Sequence, residues 1–166
     1  LVVDSTSDPG FTFGELSNSI HKIRSVLGID IELDLTKLHQ QTERGVSQWH
    51  HAIGKIRYDK ADDTALAGTL IYLKPSLTSD EPSNISEYAA RHRGFPHEIR
   101  TDAYLNDTQF EYYSQLGEHI AWEVLFPARH KTSHGFAAVC DELWSYWMSP
   151  TRNWTQSFQP RYVRPK

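Results

Sequence analysis

The sequence predicts an α/β domain in which a strand–helix–strand unit is followed by a β-hairpin and then by helices. Two observations predict this order. Residues 1–74 contain short strand-like apolar runs with one helical segment between them, whereas the apolar residues after position 84 recur every three or four positions. A chain of 166 residues with 39% hydrophobic content is also long enough to enclose one core. We therefore expect one domain, or most of one.

The first 34 residues predict the strand–helix–strand unit. Residues 1–4 are typical of a buried strand that ends in an acid, and turn-forming residues occupy positions 7–10. Thr12 and Glu15 have the spacing of a capping box, and Gly28 is a natural C-cap. Alternating residues 29–33 predict the second strand. The helix between them has an apolar face formed by Phe13, Leu16, Ile20, Ile23 and Leu27.

The middle of the chain predicts a β-hairpin. Two strand-like runs, 49–58 and 66–74, flank an acidic loop, and we expect the pair at the edge of the sheet. The strand–helix–strand order before it indicates a βαβ unit and hence an α/β sheet.

Three helices are predicted after the hairpin. Asn84 with Glu87, and Asn106 with Gln109, have the spacing of helix starts, and Gly94-Phe95-Pro96 separates the two helices. The second of these helices should end before Pro127. Its predicted core face is Phe110, Tyr113, Leu116, Ile120 and Val124, and that of the last helix is Phe136, Cys140, Leu143 and Trp147.

Several kinds of chemistry have no sequence support. There is no G-x-S-x-G, no G-x-G-x-x-G and no Walker loop, so we assign no catalytic residue. The net charge of −4 without a basic domain face argues against nucleic-acid binding. Adjacent carboxylates such as Asp80-Glu81 are interpreted as solvated groups.

We also expect no metal site and no other cofactor. His50 and His51 are neighbours in a predicted strand, so their side chains point to opposite faces. His130 and His134 are four residues apart in a segment that makes a poor helix, and Cys140 is the only thiol. Satisfied structural or surface histidines are the simpler interpretation.

A family resemblance emerges from several motifs in order. The stretch Ile71–Pro82, "IYLKPSLTSDEP", is followed by "FPHE" at 95–98, "TQFEYY" at 108–113 and "LGEHI" at 116–120. Four shorter motifs precede them in the sequence: Val2-Val3-Asp4, Asp8-Pro9, Phe13–Leu16 and Ile29–Ile31. Together they resemble the C-terminal part of bacterial patatin-like phospholipases over residues 1–126, whereas 127–166, an aromatic and basic extension with a helix and a tail, has no counterpart.

The resemblance implies the rear portion of a patatin-like sheet with flanking helices. It also implies a Ser–Asp dyad in G-x-S-x-G and Asp-Gly motifs upstream, and this chain contains neither motif. We therefore expect a fragment or subunit of a lipid acyl hydrolase that is inactive alone, in the cytoplasm or associated with a membrane. A non-catalytic interaction module and an unrelated α/β binding domain are the alternatives.

The segment after Phe95 contains the candidate substrate-binding residues. In one interpretation His97 and Arg100 meet a phospholipid headgroup while Thr101 and Asp102 orient the loop. In the other, Thr101 or Asp102 caps a turn and His97 hydrogen-bonds backbone. The Asp4 side chain is expected to hold the turn after the first strand.

The expected partners are the upstream part of the same enzyme or a partner chain. Without upstream strands, residues 1–4 and the face of helix 13–27 should lack part of their cover, which favours self-association. From residue 150 onward there are four basic residues and no acid, with aromatics at 154, 158 and 162. This tail suits either an anionic membrane surface or packing against the parent protein.

Overall fold

A computed structural model describes residues 1–39, 45–98, 104–130 and 135–149, and it confirms a mixed α/β fold. A four-stranded sheet is combined with four α-helices in these ranges. No described helix combines the length and apolarity needed to cross a bilayer. The elements are β1 (Val2–Val3), α1 (Gly14–Leu27), β2 (Asp30–Glu32), β3 (His51–Arg57), β4 (Gly68–Leu73), α2 (Ser83–Arg91), α3 (Asp107–Leu125) and α4 (Phe136–Trp147).

The sheet has the order β1-β4-β3-β2. The predicted hairpin is confirmed as β3 and β4, which are antiparallel, but its expected edge position is wrong because β1 and β2 pair on its two sides. Since β1 is parallel to β4 and β2 is antiparallel to β3, β1 and β2 run in the same direction. The strand–helix–strand unit therefore spans the whole width of the sheet.

Of the three predicted helix starts, only one forms as a capping box. At α3, Asn106 accepts a hydrogen bond from the Gln109 amide, and the Gln109 side chain accepts one from the Asn106 amide. The box at Thr12 is wrong because Asp8 accepts the backbone amides of Thr12 and Phe13, and α1 begins only at Gly14. The box at Asn84 is also wrong, since no side chain caps α2.

Two apolar clusters cover the sheet. The larger joins β3 and β4 to α2, α3 and α4, and it includes Ile71, Ile85, Leu116, Val124, Leu143 and Trp147. The smaller consists of Phe11, Phe13, Leu38, Ala52 and Tyr72. Helix α4 thus contributes to the same core as the elements before residue 126, while the predicted boundary at that residue stays a prediction.

Some predicted core positions are exposed. Phe110 and Phe136 are 63% and 62% exposed, because each lies in the first turn of its helix, ahead of the buried positions. Strand β1 is an exposed edge instead of a buried strand, with Val2 and Val3 43% and 65% exposed. Helix α1 has no buried residue, so the expectation that β1 and α1 lack part of their cover is confirmed.

Candidate functional site

Four titratable side chains from distant parts of the sequence meet beside the larger core. They are His50, Asp80, His119 and Glu123, and one potential ligand atom of each lies within 4.8 Å of the others. We call this group the His–carboxylate centre. It lies in the region that joins the start of β3, the β4–α2 loop and α3.

Helix periodicity positions half of the centre. His119 and Glu123 are four residues apart on α3, so they lie on one side of it. The neighbouring stripe of Leu116, Ile120 and Val124 is buried and anchors the helix against the sheet. Burial of this stripe therefore directs the His119 and Glu123 side chains toward the loop after β4.

Backbone pairing between β3 and β4 positions the other two members of the centre, His50 and Asp80. The Lys74 amide donates to the His50 carbonyl at 3.0 Å, which extends the β3–β4 ladder past the end of β4. The chain then passes through Ser76 and Thr78 to Asp80. This loop brings the Asp80 carboxylate to the same place as the His50 ring.

The distances within the centre are short. His119 Nε2 lies 3.1 Å from Asp80 Oδ1, and His50 Nε2 lies 3.3 Å from Glu123 Oε2 and 3.9 Å from Asp80 Oδ1. The His50 side chain is fully buried, and those of His119 and Glu123 are 9% and 11% exposed. The His50 and His119 rings approach edge to face. Asp80 is the most open member, with its side chain 31% exposed, so the centre is a compact group that meets the solvent on the Asp80 side.

Hydroxyl groups orient the His50 ring. Its Nδ1 is 3.0 Å from Ser76 Oγ, and its Nε2 is 3.0 Å from Thr78 Oγ1. The Thr78 hydroxyl also hydrogen-bonds to Asp80, and Glu81 accepts the backbone amides of Thr78 and Ser79. These contacts hold the loop so that the Asp80 carboxylate and His50 Nε2 face the same space.

Burial and neighbouring charges shift the pKa values of the residues in the centre in opposite directions. Burial alone would raise the pKa of Asp80, but hydrogen bonds from His119 and His50 lower it below the ordinary value. Burial would lower the pKa of His119, and the hydrogen bond and charge of Asp80 raise it instead. Burial raises the pKa of Glu123, whose Oε2 is buried without a hydrogen-bond partner.

The composition of the centre limits its chemistry. Two imidazoles and two carboxylates can share protons or coordinate a cation. The Ser76 hydroxyl, which lies 3.0 Å from His50 Nδ1, is fully buried and is therefore not placed to attack a substrate. The position of the centre also differs from that of a nucleophile elbow, which needs a sharp strand-to-helix turn.

A second buried polar group holds the start of the chain. Asp4 accepts the amide and hydroxyl of Thr6 at 2.9 and 2.6 Å, as expected for a residue that holds the turn after β1. Its other oxygen accepts from the Tyr72 hydroxyl and from Lys74 Nζ, the latter at 3.1 Å. Burial opposes ionisation, but these hydrogen bonds lower the pKa of Asp4 to about 2.

His97 lies away from the His–carboxylate centre. It is 5% exposed, its ring packs edge to face on Phe11 at 4.7 Å, and its Nδ1 accepts the Asp8 amide at 3.3 Å. Ser7 donates to the His97 carbonyl. The ring therefore has the backbone hydrogen bond of the structural interpretation. Arg100, Thr101 and Asp102 lie outside the described residues, so the headgroup role of this segment stays a prediction.

The four residues of the centre were not predicted to meet. Neighbouring histidines are easily compared in a sequence, whereas these residues are separated by up to 73 positions (from 50 to 123). His51 points away, stacking on Trp49 at 5.1 Å, as the alternation of a strand requires. One signal was available: His119 and Glu123 are four apart and flank the predicted core stripe of α3.

Comparison with known proteins adds no assignment. No model of a protein family matches the chain, and neither a curated protein nor a solved structure matches it.

Proposed function

We propose that this chain is the C-terminal portion of a patatin-like lipid acyl hydrolase of the phospholipase type. It contributes structure but not the Ser–Asp dyad, so it does not hydrolyse lipid alone. The resemblance rests on motifs in a consistent order over residues 1–126. Neither G-x-S-x-G nor Asp-Gly occurs in the chain.

The observation that carries the proposal is that these separate motifs contact one another. Asp4 of the first motif bonds to Tyr72 and Lys74 of the longest one. Asp80 of that motif bonds to His119 in "LGEHI". Such contacts occur in any compact domain, so they support the proposal in one respect: the motifs belong to one folded unit, as the resemblance requires.

Two more motifs are joined in the same way. The Asp8 amide donates to His97 of "FPHE", and Glu98 of that motif accepts from Gln109 and Tyr113 of the α3 motif. The contacts span the domain from its first turn to α3. They support treating residues 1–126 as one inherited unit.

The uncovered side of the domain supports a partner upstream in the same enzyme. Leu1, Val2 and Val3 are 55%, 43% and 65% exposed on an edge strand, and none of the α1 residues is buried. Edge strands with exposed apolar residues pair readily with other strands. The upstream strands of the parent domain are the partner that the resemblance implies.

An activity measurement tests the proposal. The purified chain should hydrolyse a p-nitrophenyl ester no faster than a heat-treated control and should not react with a serine-directed fluorophosphonate. Turnover that the fluorophosphonate abolishes would contradict it. The same assay on a protein extended by the natural upstream sequence should give fluorophosphonate-sensitive turnover.

A second candidate is a non-catalytic interaction module, and the uncovered β1 and α1 surface favours it. The extended protein separates the two. A hydrolase portion gains activity with its upstream sequence, whereas an interaction module gains none and instead captures a partner through β1 and α1. Residues 150–166 lie outside the described residues, and both expectations for them, packing against the parent protein or contact with a lipid surface, stay predictions.

A further inference from the structure

We propose that the His–carboxylate centre binds a first-row divalent metal ion, with Zn²⁺ as its best-suited occupant. His50, Asp80, His119 and Glu123 each supply one ligand, and the ion ties the start of β3 and the β4–α2 loop to α3. This site is independent of the acyl hydrolase assignment, because it uses none of that chemistry.

The spacing of the ligand atoms fits a tetrahedral ion. Zn–N and Zn–O bonds of ~2.0–2.1 Å at tetrahedral angles separate neighbouring ligand atoms by roughly 3.4 Å. The His119–Asp80, His50–Glu123 and His50–Asp80 separations, 3.1, 3.3 and 3.9 Å, lie around this value, and no pair exceeds 4.8 Å. Small side-chain movements would therefore place all four ligands around one ion.

Charge also favours a cation. Glu123 places a largely buried carboxylate beside that of Asp80, which is 31% exposed, and within the described ranges no lysine or arginine forms an ion pair with either one. Buried carboxylates are costly unless they are paired or coordinate a metal. The buried Glu123 Oε2 has no hydrogen-bond partner and faces the His50 nitrogen.

The surrounding hydrogen bonds are those of a metal site. Histidine ligands commonly fix their ring through the second nitrogen, and His50 Nδ1 meets the Ser76 hydroxyl while Nε2 faces the carboxylates. The Thr78 hydroxyl, which bonds to both His50 and Asp80, would keep its bond to the carboxylate when Nε2 turns to the ion.

The ligand set selects the class of metal. Imidazole suits Zn²⁺ and other first-row ions, whereas Mg²⁺ and Ca²⁺ prefer all-oxygen sites. Four protein ligands complete a tetrahedron, which is the arrangement of structural zinc sites, while catalytic sites keep a position open. The ion therefore acts as a cross-link between elements and does not activate water.

The test is calorimetric titration of ZnCl₂ into the full, untagged chain after treatment with a chelator. We expect one ion per chain, an affinity in the micromolar range or tighter, and a melting temperature that rises with Zn²⁺. Substitution with Co²⁺ should produce the intense visible absorption of a tetrahedral complex. An excess of Mg²⁺ or Ca²⁺ should not displace the ion.

Variants distinguish the site from surface histidines. Glu123→Gln and His119→Gln should each weaken Zn²⁺ binding about 100-fold or more. Glu118→Gln on the exposed side of the same helix, and His21→Gln on α1, should leave it unchanged. Because Glu123→Gln keeps the shape and removes a buried charge, the metal-free variant should be at least as stable as the metal-free parent while losing the thermal response to Zn²⁺.

Three results would overturn the proposal. They are Zn²⁺ binding no tighter than millimolar, equal losses in the site variants and the two controls, and a Glu123→Gln chain that folds and still binds Zn²⁺ as the parent does. In each case the hydrogen bonds and ion pairs among these residues, including the one between His119 and Asp80, would hold the centre together without an ion.

Discussion

Lys74 is a charged residue in the interior, 1% exposed, and its ammonium group depends on Asp4 and on the Thr6 carbonyl for partners. A buried charge that loses its partner is strongly destabilising. The Asp4 carboxylate therefore matters less for the turn after β1 than for the lysine beneath it. The sequence predicted the turn role because Asp4 ends a strand, but the Lys74 pairing needed the register of β1 on β4.

Asp4→Asn should lower the free energy of unfolding by about 2–3 kcal/mol at neutral pH. The folded pKa of Asp4 is depressed from 3.8 to about 2, so its contribution is complete above the unfolded value and is lost as pH falls from about 4 to about 2. Urea unfolding of both proteins across this range should show the difference shrinking toward zero.

Asp34→Asn is the matched control. Asp34 accepts the Thr36 amide and hydroxyl at 2.9 and 2.6 Å, the same distances as in the Asp4 turn, but it is exposed and holds no buried lysine. Its substitution should cost less than about 1 kcal/mol. Equal losses from the two substitutions, or a pH-independent loss from Asp4→Asn, would contradict the role given to Lys74.

At the scale of single elements, the sequence predicted where helices lie better than how they begin. Three capping boxes matched by spacing, and only the one at Asn106 forms. The other two do not form, for different reasons: Asp8 takes the amides before α1, and α2 begins at Ser83, so Asn84 lies inside the helix and not at its cap position. Spacing within one segment indicates neither a competing side chain nor the residue at which a helix begins.

Asn106→Ala should therefore lower the free energy of unfolding by about 1 kcal/mol, because it leaves the first-turn amide of α3 without its acceptor. Asn84 occupies the same position of the sequence motif, but Asn84→Ala should lower the free energy of unfolding by less than about half as much as Asn106→Ala. Chemical denaturation of the two variants measures both values. A larger loss at Asn84 than at Asn106 would contradict the assignment.

Two glycines give opposite predictions for the same substitution. A Cβ at Gly54 would lie 2.3 Å from the Glu32 backbone oxygen of β2, so Gly54→Ala should cost about 2–3 kcal/mol by forcing the strands apart. A Cβ at Gly117, on α3, meets nothing within 4 Å. Gly117→Ala should therefore raise the free energy of unfolding by about 0.5–1 kcal/mol. Thermal unfolding distinguishes them, and a stable Gly54→Ala would disprove the close β2–β3 approach.

At the scale of the whole molecule, fold class and element order were predictable, while the assembly of the sheet and the centre was not. Hydrophobic period identified the helices and the β3–β4 hairpin, but nothing local indicates that β1 and β2 would flank that hairpin. The same holds for the centre, since only the His119–Glu123 spacing lies within one element. Contacts between residues that are far apart in the sequence decide both the strand order and the assembly of the centre.

The exposed β1 and α1 surface predicts self-association. Val26 and Leu27 are 79% and 59% exposed at the end of α1, next to β2 and therefore at the opposite edge of the sheet from β1. Light scattering should detect a dimer or larger species, and Val26→Lys with Leu27→Lys should shift it toward monomer without lowering the melting temperature. Control substitution of the exposed Glu111→Lys should leave the association unchanged, and a monodisperse parent monomer would contradict the prediction.

We propose that this chain functions as part of a larger acyl hydrolase. An antibody raised against the purified chain, applied to cells that naturally produce it after labelling with a fluorophosphonate probe, tests this most directly. We expect the antibody to recognise a species well above the 19.1 kDa of this chain, with the label at a serine outside the chain. A recognised species of 19.1 kDa without label, forming no complex with a labelled protein, would contradict it.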